Sequence, residues 1–140
     1  MRPAALRRLA RALAGRAFPA EAPPFGELAL VLVDDAAMPD CKAACFGERR
    51  QTDVVSQAYE AVPGAAPAAA EIVINAERAQ AEGADRPGGP ARELALYLAH
   101  GLDHLAGADD DTPARRRAMR RRETAWLDAL PDEVREILAP

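Results

Sequence analysis

The sequence predicts an α+β domain, a small mixed sheet of about three to four strands packed with helices. Three observations predict it. Short apolar runs at Glu27–Val33, Val54–Ala58 and Glu71–Asn75 are strand-length and are interleaved with stretches of helical period. Three such runs are too few for a doubly wound sheet. The chain is 140 residues long, 49% hydrophobic and 29% charged, which suits one domain spanning 1–140 with a core of its own and argues against wholesale disorder.

Pro3 suits the first turn of a helix running to about Ala14, with Leu6, Leu9 and Leu13 on one face and Gly15 to end it. Met1–Pro19 is Arg-rich and acid-poor, as transit peptides are, but the leucine spacing favours a plain first helix. Pro19, Pro23 and Pro24 mark a linker, and Glu27–Val33 follows as a buried strand. Asp34 or Asp35 can cap a helix to about Cys45, with Pro39 in its first turn and Gly47 ending it. Cys41 and Cys45 lie four apart, which is neither a CxxC motif nor a disulfide framework. Two half-buried reduced thiols in a reducing cytoplasm are the expectation.

Glu48–Gln51 is a charged loop, Val54–Ala58 a second strand, and Val62–Ala70 a loop carrying Pro63, Gly64 and Pro67. Glu71–Asn75 is the third strand. Asn75 can cap a helix over Ala76–Glu82, and Gly83–Pro90 is a linker. A helix from about Ala91 to Ala106 follows. Thr112-Pro113 starts another to about Ala129, and Asp132 can cap a last short one. The longest apolar run is Leu28–Val33, far short of a membrane span. No membrane partner and no nucleotide cofactor are expected.

The only histidines, His100 and His104, are i, i+4 on the predicted helix and so stand about 40° apart around its axis. Leu94, Leu98, Leu102 and Leu105 form a stripe about 80° wide on the opposite side, the core-facing one. Two imidazoles on an anchored helix can hold one metal ion. Gly107 can turn the chain back and present Asp110 as a third ligand. His100-x3-His104-x2-Gly107-x2-Asp110 thus has the spacing of zincin-like sites, with Asp in place of the third His. An i, i+4 histidine pair alone is mostly coincidence or a solvated face; the glycine and the acidic loop make a metal site the stronger reading. Zinc proteases place Glu directly after the first His as general base, and here that residue is Gly101. Asp103, about 60° from His100, is a candidate base acting through water or a carboxylate supporting the metal ligands from behind, and equally an exposed acid.

The net charge of −4 hides an asymmetry. Residues 1–16 hold five Arg and residues 115–122 hold six, with no acid in either. An acidic body argues against nucleic acid, but the second cluster can supply phosphate contacts, with Arg116 and Arg120 as candidates. Its bland alternative is a solvated helix face. The six aromatic residues do not cluster in sequence, so base-specific reading is not supported.

The run His100-Gly101-Leu102-Asp103-His104-Leu105-Ala106-Gly107-Ala108-Asp109-Asp110 resembles HGxLHLxGxDH, the signature of the YbeY family of bacterial rRNA-maturation endoribonucleases. Thr52-Asp53-Val54-Val55-Ser56-Gln57 resembles the family block TDVLSF, and Ala70-Glu71-Ile72-Val73-Ile74-Asn75 a third block. Met119 and Glu123 sit where the family places a Met and a Glu. The blocks stand in family order over about residues 27–125. The resemblance implies one zinc ion per chain, held by His100, His104 and Asp110, and cleavage of single-stranded RNA. It also implies work on ribosomal RNA, chiefly of the small subunit, in the cytoplasm. Departures accompany it: Asp110 for a histidine, Asp103 for an apolar residue, Gln57 for a Phe, and Phe46 where the family has a substrate-engaging Arg. Arg49 or Arg50 can substitute for that arginine. The family also opens with a strand before the first helix, whereas this chain opens on the helix.

Three functions follow. The first is a zinc-dependent endoribonuclease in rRNA processing and ribosome biogenesis. The second is a peptidase-like metal hydrolase on the same scaffold, which Gly101 disfavours. The third is a non-catalytic ribosome-assembly factor with a structural metal site, which Phe46 and Asp110 motivate.

Overall fold

A computed structural model describes residues 1–20, 22–59 and 68–140. The elements run α1 (Pro3–Ala17), β1 (Glu27–Val33), α2 (Met38–Phe46), β2 (Val54–Ala58), β3 (Ala69–Asn75), α3 (Ala76–Gly83), α4 (Gly89–Leu105), α5 (Pro113–Asp128) and α6 (Pro131–Glu136). The fold is α+β, as the sequence predicts. The described strands form one mixed sheet in the order β1-β3-β2, with β1 parallel and β2 antiparallel to β3.

β3 is central and fully paired, and the pleat sends its side chains to two cores. Ile72 and Ile74, both 0% exposed, face the main core. There they meet Leu6, Leu9 and Leu13 of α1, Leu94, Leu98 and Leu102 of α4, and Leu127 of α5. Val73 and its partner Val55 face the other side and pack under Met38 of α2, with Cys41 and Cys45 half-buried at the edge as free thiols.

The expectation of a buried β1 is corrected. Leu28, Leu30 and Leu32 pack on the main core, but Ala29 and Val31 face outward. Val31 is 37% exposed. The nine-residue α2 packs chiefly on β2, so among the described residues it leaves the outer face of β1 exposed at Ala29 and Val31. Other boundaries shift for local reasons. α1 runs through Gly15 to Ala17, because its packing on α4 and α6 outweighs one weak helix former. Asp34 caps a turn, accepting from Ala37 N at 2.9 Å, and α2 begins only at Met38. Gly47 ends α2 in the left-handed region at φ 70°. α4 begins at Gly89, inside the expected linker. Asp132 lies in the first turn of α6, paired with Arg135, and Leu130 is the N-cap. Of the predicted Val62–Ala70 loop, residues 62–67 lie outside the described residues, and Ala69 and Ala70 already belong to β3.

Asn75 joins the pieces at the end of β3. It is 0% exposed. Its side chain accepts from Arg78 N at 3.0 Å, capping α3, and donates to Asp35 at 2.7 Å. It also donates to Thr52 O at 3.3 Å, so the loops after β1 and before β2 are both tied to the end of β3. Among the described residues, no helix is long and apolar enough to cross a membrane.

Candidate metal centre

The leucine stripe of α4 is buried at Leu94, Leu98 and Leu102 and half-buried at Leu105. The helix is therefore anchored on one side, and His100 and His104 project from the other. Gly107, at φ 102°, breaks the helix, with its N–H donating to His104 O at 3.0 Å and Ala108 N–H donating to Asp103 O at 3.0 Å. No other residue type takes that φ cheaply. The chain returns past the histidines, and Thr112 caps α5 by accepting from Arg115 N at 3.1 Å. Arg116 of α5 donates to Asp110 O at 3.1 Å, which holds the returning loop.

These elements bring the three predicted ligands together. His100 Nε2 and His104 Nε2 stand 3.1 Å apart, with Asp110 Oδ2 at 3.6 Å and 3.4 Å from them. A tetrahedral zinc site with bonds of 2.0–2.1 Å separates its donor atoms by about 3.3 Å, so the spacing fits. The proton count fits as well. His104 Nδ1 lies 3.0 Å from the Ala108 carbonyl, which can only accept, so this nitrogen carries the proton. His100 Nδ1 donates to Glu123 Oε2 at 2.9 Å. In the neutral rings both Nε2 atoms therefore present lone pairs, facing each other and a carboxylate. That arrangement calls for a cation at its centre, a proton on His100 or a metal ion.

The electrostatics agree. Burial pulls the His100 pKa down, but the Glu123 hydrogen bond and the charges of Glu123, Asp53 and Asp110 outweigh it, and the net shift is upward. Burial pushes the Glu123 carboxyl up, against the lowering effect of its hydrogen bond to His100. Glu123 is 1% exposed and is the fixed point behind the centre.

Asp103, the candidate base, is buried, and both its oxygens are taken by Arg122 of α5 at 3.0 and 2.9 Å. Its carboxylate braces α4 against α5 and adjoins Glu123. Gly101 faces the sheet. A Cβ there would come 2.9 Å from Ile72 Cγ2, so the position has no room for the glutamate of a zinc protease.

Arg116 and Arg120 line a cleft of about 390 Å³ together with His100, Asp110, Glu123 and Arg117. Arg49 and Arg50 do not line it. They lie on the exposed loop after α2, paired with Asp40 at 3.0 Å and Glu48 at 3.5 Å. Phe46 is 57% exposed at the end of α2. Sequence reasoning did not place Glu123, Asp53 or Arg78 at the site, although all three adjoin His100 in a second, smaller cavity. For Glu123 a signal existed in its match to the family's glutamate after Met119.

The family model "Endoribonuclease YbeY" matches residues 4–131. The chain is 34% identical over 97 residues to the Endoribonuclease YbeY of Anaeromyxobacter sp. (strain Fw109-5), covering 69% of this chain and 50% of that protein. It is 35% identical over 111 residues to that of Rhodopirellula baltica, covering 78% and 56%, and 36% identical over 110 residues to that of Moorella thermoacetica, covering 72% and 70%. The chain thus spans about half the length of the first two relatives. With a family match over nearly its whole length, the chain belongs to the YbeY endoribonuclease family.

Proposed function

We propose that this chain is a metal-dependent endoribonuclease that cleaves single-stranded RNA. Its metal is one zinc ion held by His100, His104 and Asp110. Its setting is the processing of ribosomal RNA, chiefly of the small subunit, in the cytoplasm. The observation that carries the reading is the convergence of three potential ligand atoms, from His100, His104 and Asp110, all within 4.8 Å of one another, at a cleft lined by arginines. The names of the relatives support the RNA-cleaving half.

A bound divalent ion would supply Lewis acidity toward a phosphoryl oxygen and lower the pKa of a water toward 7. The chain's own residues do the positioning. Glu123 and the Ala108 carbonyl hold the protons on the two Nδ1 atoms, so both Nε2 lone pairs aim inward. Arg116, Arg117 and Arg120 of α5 present guanidinium groups along the cleft, where a phosphodiester would enter. An Asp110 ligand in place of imidazole adds negative charge, which weakens the ion's Lewis acidity and broadens the choice of metal. Gly101, closed off by Ile72, weighs against the peptidase-like alternative.

The test is metal analysis of the purified chain, followed by incubation with single-stranded rRNA and with casein, each with and without chelator. About one zinc per chain and chelator-sensitive RNA cleavage are expected. His100→Ala should lose the metal, and full occupancy in that variant would refute the ligand assignment. Asp110→Ala retaining zinc would refute only the third ligand. Bound zinc without cleavage would favour the assembly-factor reading. Arg116→Glu with Arg120→Glu should flatten the salt dependence of RNA binding.

A further inference from the structure

Next to the metal centre, the start of β2 and helices α3, α4 and α5 enclose a polar cavity of about 150 Å³. His100 and Glu123 form its wall toward the centre, and Asp53, Arg78, Tyr97 and Arg120 are among its other walls. Most of its charges are already committed. Arg86 bridges Glu82 at 3.1 Å and Glu93 at 2.6 Å, and Glu123 holds His100. Three groups are not. Among the described residues, the guanidinium groups of Arg78 and Arg120 make no ion pair or hydrogen bond. The Asp53 carboxylate has only a 3.5 Å contact from the Thr52 hydroxyl.

Two cationic donors and one anionic acceptor, left open toward a cavity, ask for a ligand of the reverse pattern. It must carry an anion for the guanidinium groups and a neutral donor for the carboxylate. A ribonucleotide carries both, in its phosphate oxygens and its 2′-hydroxyl, and a deoxyribonucleotide lacks the second. Among the described residues of the wall the aromatic rings are the buried Tyr97 and His100, which is held by Glu123, so base stacking is not what the cavity offers.

We infer that this cavity is a ribonucleotide subsite beside the cleaved bond, in which Arg78 and Arg120 take the phosphate and Asp53 accepts the 2′-hydroxyl. Asp53 is then the residue that selects RNA over DNA. The inference rests on the RNA-cleaving reading above. Its residues are separate from the three metal ligands, and they come from three elements that only the fold brings together.

The test uses a single-stranded RNA oligonucleotide cut by the metal-loaded full chain. It is compared with a series carrying one 2′-deoxy residue at successive positions near the cut, leaving intact the sugar at the cleaved bond. In the wild type, one deoxy position should lower kcat/KM roughly tenfold, the loss of a charge-assisted hydrogen bond. Asp53→Ala should lower kcat/KM by a similar factor on all-RNA substrate and show no further loss at that deoxy position. Asp53→Asn, which keeps shape and one acceptor, should show an intermediate sensitivity. Arg78→Gln should raise KM with little change in kcat and reduce the salt slope of binding by about one. Zinc content and melting temperature, measured on each variant, separate these effects from lost metal or fold. If the deoxy and Asp53 effects multiply independently, or no deoxy position matters, the inference is overturned while the endoribonuclease reading stands. If the wild type does not cut the all-RNA oligonucleotide, both are overturned.

Discussion

Glu123 makes the sharpest test of how the metal centre is built. It is not one of the three candidate ligands, yet its Oε2 accepts the Nδ1 proton of His100 at 2.9 Å, and it is 1% exposed. Glu123→Gln keeps an acceptor oxygen and removes the charge; Glu123→Ala removes both. A hydrogen bond to a charged group contributes about 1.5–3 kcal/mol, and each 1.4 kcal/mol is about tenfold in affinity. Outer partners of metal-ligating histidines typically alter affinity by about 10–100-fold. We therefore expect zinc affinity to fall about tenfold in Glu123→Gln and toward a hundredfold in Glu123→Ala. The assay is a competitive zinc titration against a chromophoric chelator, run for all variants at one fixed alkaline pH. Both variants should be checked for folding by circular dichroism. If both fold and bind zinc within about threefold of the wild type, His100 does not depend on Glu123, and the positioning argument fails.

Metal-free protein should lose stability as the pH rises above the ordinary carboxylate range for Glu123 and then above the ordinary imidazole range for His100. The folded-state pKa values of His100 and Glu123 are both raised, so their contribution is present below the ordinary values and is lost as the pH climbs through the folded ones. Melting curves in chelator that are flat with pH would contradict this. Gly101→Ala gains about 1 kcal/mol of helix propensity, but its Cβ meets the fully buried Ile72 at 2.9 Å, and overpacking costs about 1–3 kcal/mol. Urea unfolding should show net destabilisation, and a variant as stable as the wild type would mean that α4 and β3 are looser than described. Arg122→Ala leaves the 3%-exposed Asp103 without its partner. The Arg122 side chain is 42% exposed, so water can partly replace it, and we expect a loss of about 2–3 kcal/mol, below the full cost of breaking a buried pair. A loss under about 0.5 kcal/mol would show that the pair does not brace the two helices.

Much of the architecture was legible because it is local. β1 and β2 were bounded correctly by apolar runs that stop at acidic or turn residues. The caps at Asn75 and Thr112 were visible as short polar side chains before helical sequence, and both make the expected bond to the backbone. Gly107 was legible as a turn, and the approach of Asp110 to His100 and His104 followed from its spacing. The exposure of β1 was not, since a strand's sequence does not say how far the covering helix reaches. Gly15 misled, because the penalty for glycine inside a helix is small beside the burial of Leu9 and Leu13 on α4 and α6. Arg49 and Arg50 are near Phe46 in sequence but pair with Asp40 and Glu48 on an exposed loop, whereas the cleft draws its arginines from α5.

Asp103 shows where the two kinds of information part. The helical period puts His100 and His104 on one face whatever else the chain does, because 3.6 residues per turn is a property of the backbone. It also puts Asp103 about 60° from His100, a direction as compatible with facing the metal as with facing a neighbouring helix. α5 settles it, by passing close enough for Arg122 to take both oxygens. The same crossing sets Glu123 behind His100 and leaves Arg120 beside the cavity of Asp53 and Arg78. Periodicity carries no information about where a second helix will lie. The clustering of His100, His104 and Asp110 was therefore readable from residue order, while the groups behind it, and those lining the cavity beside it, were fixed only when α3 and α5 packed against α4.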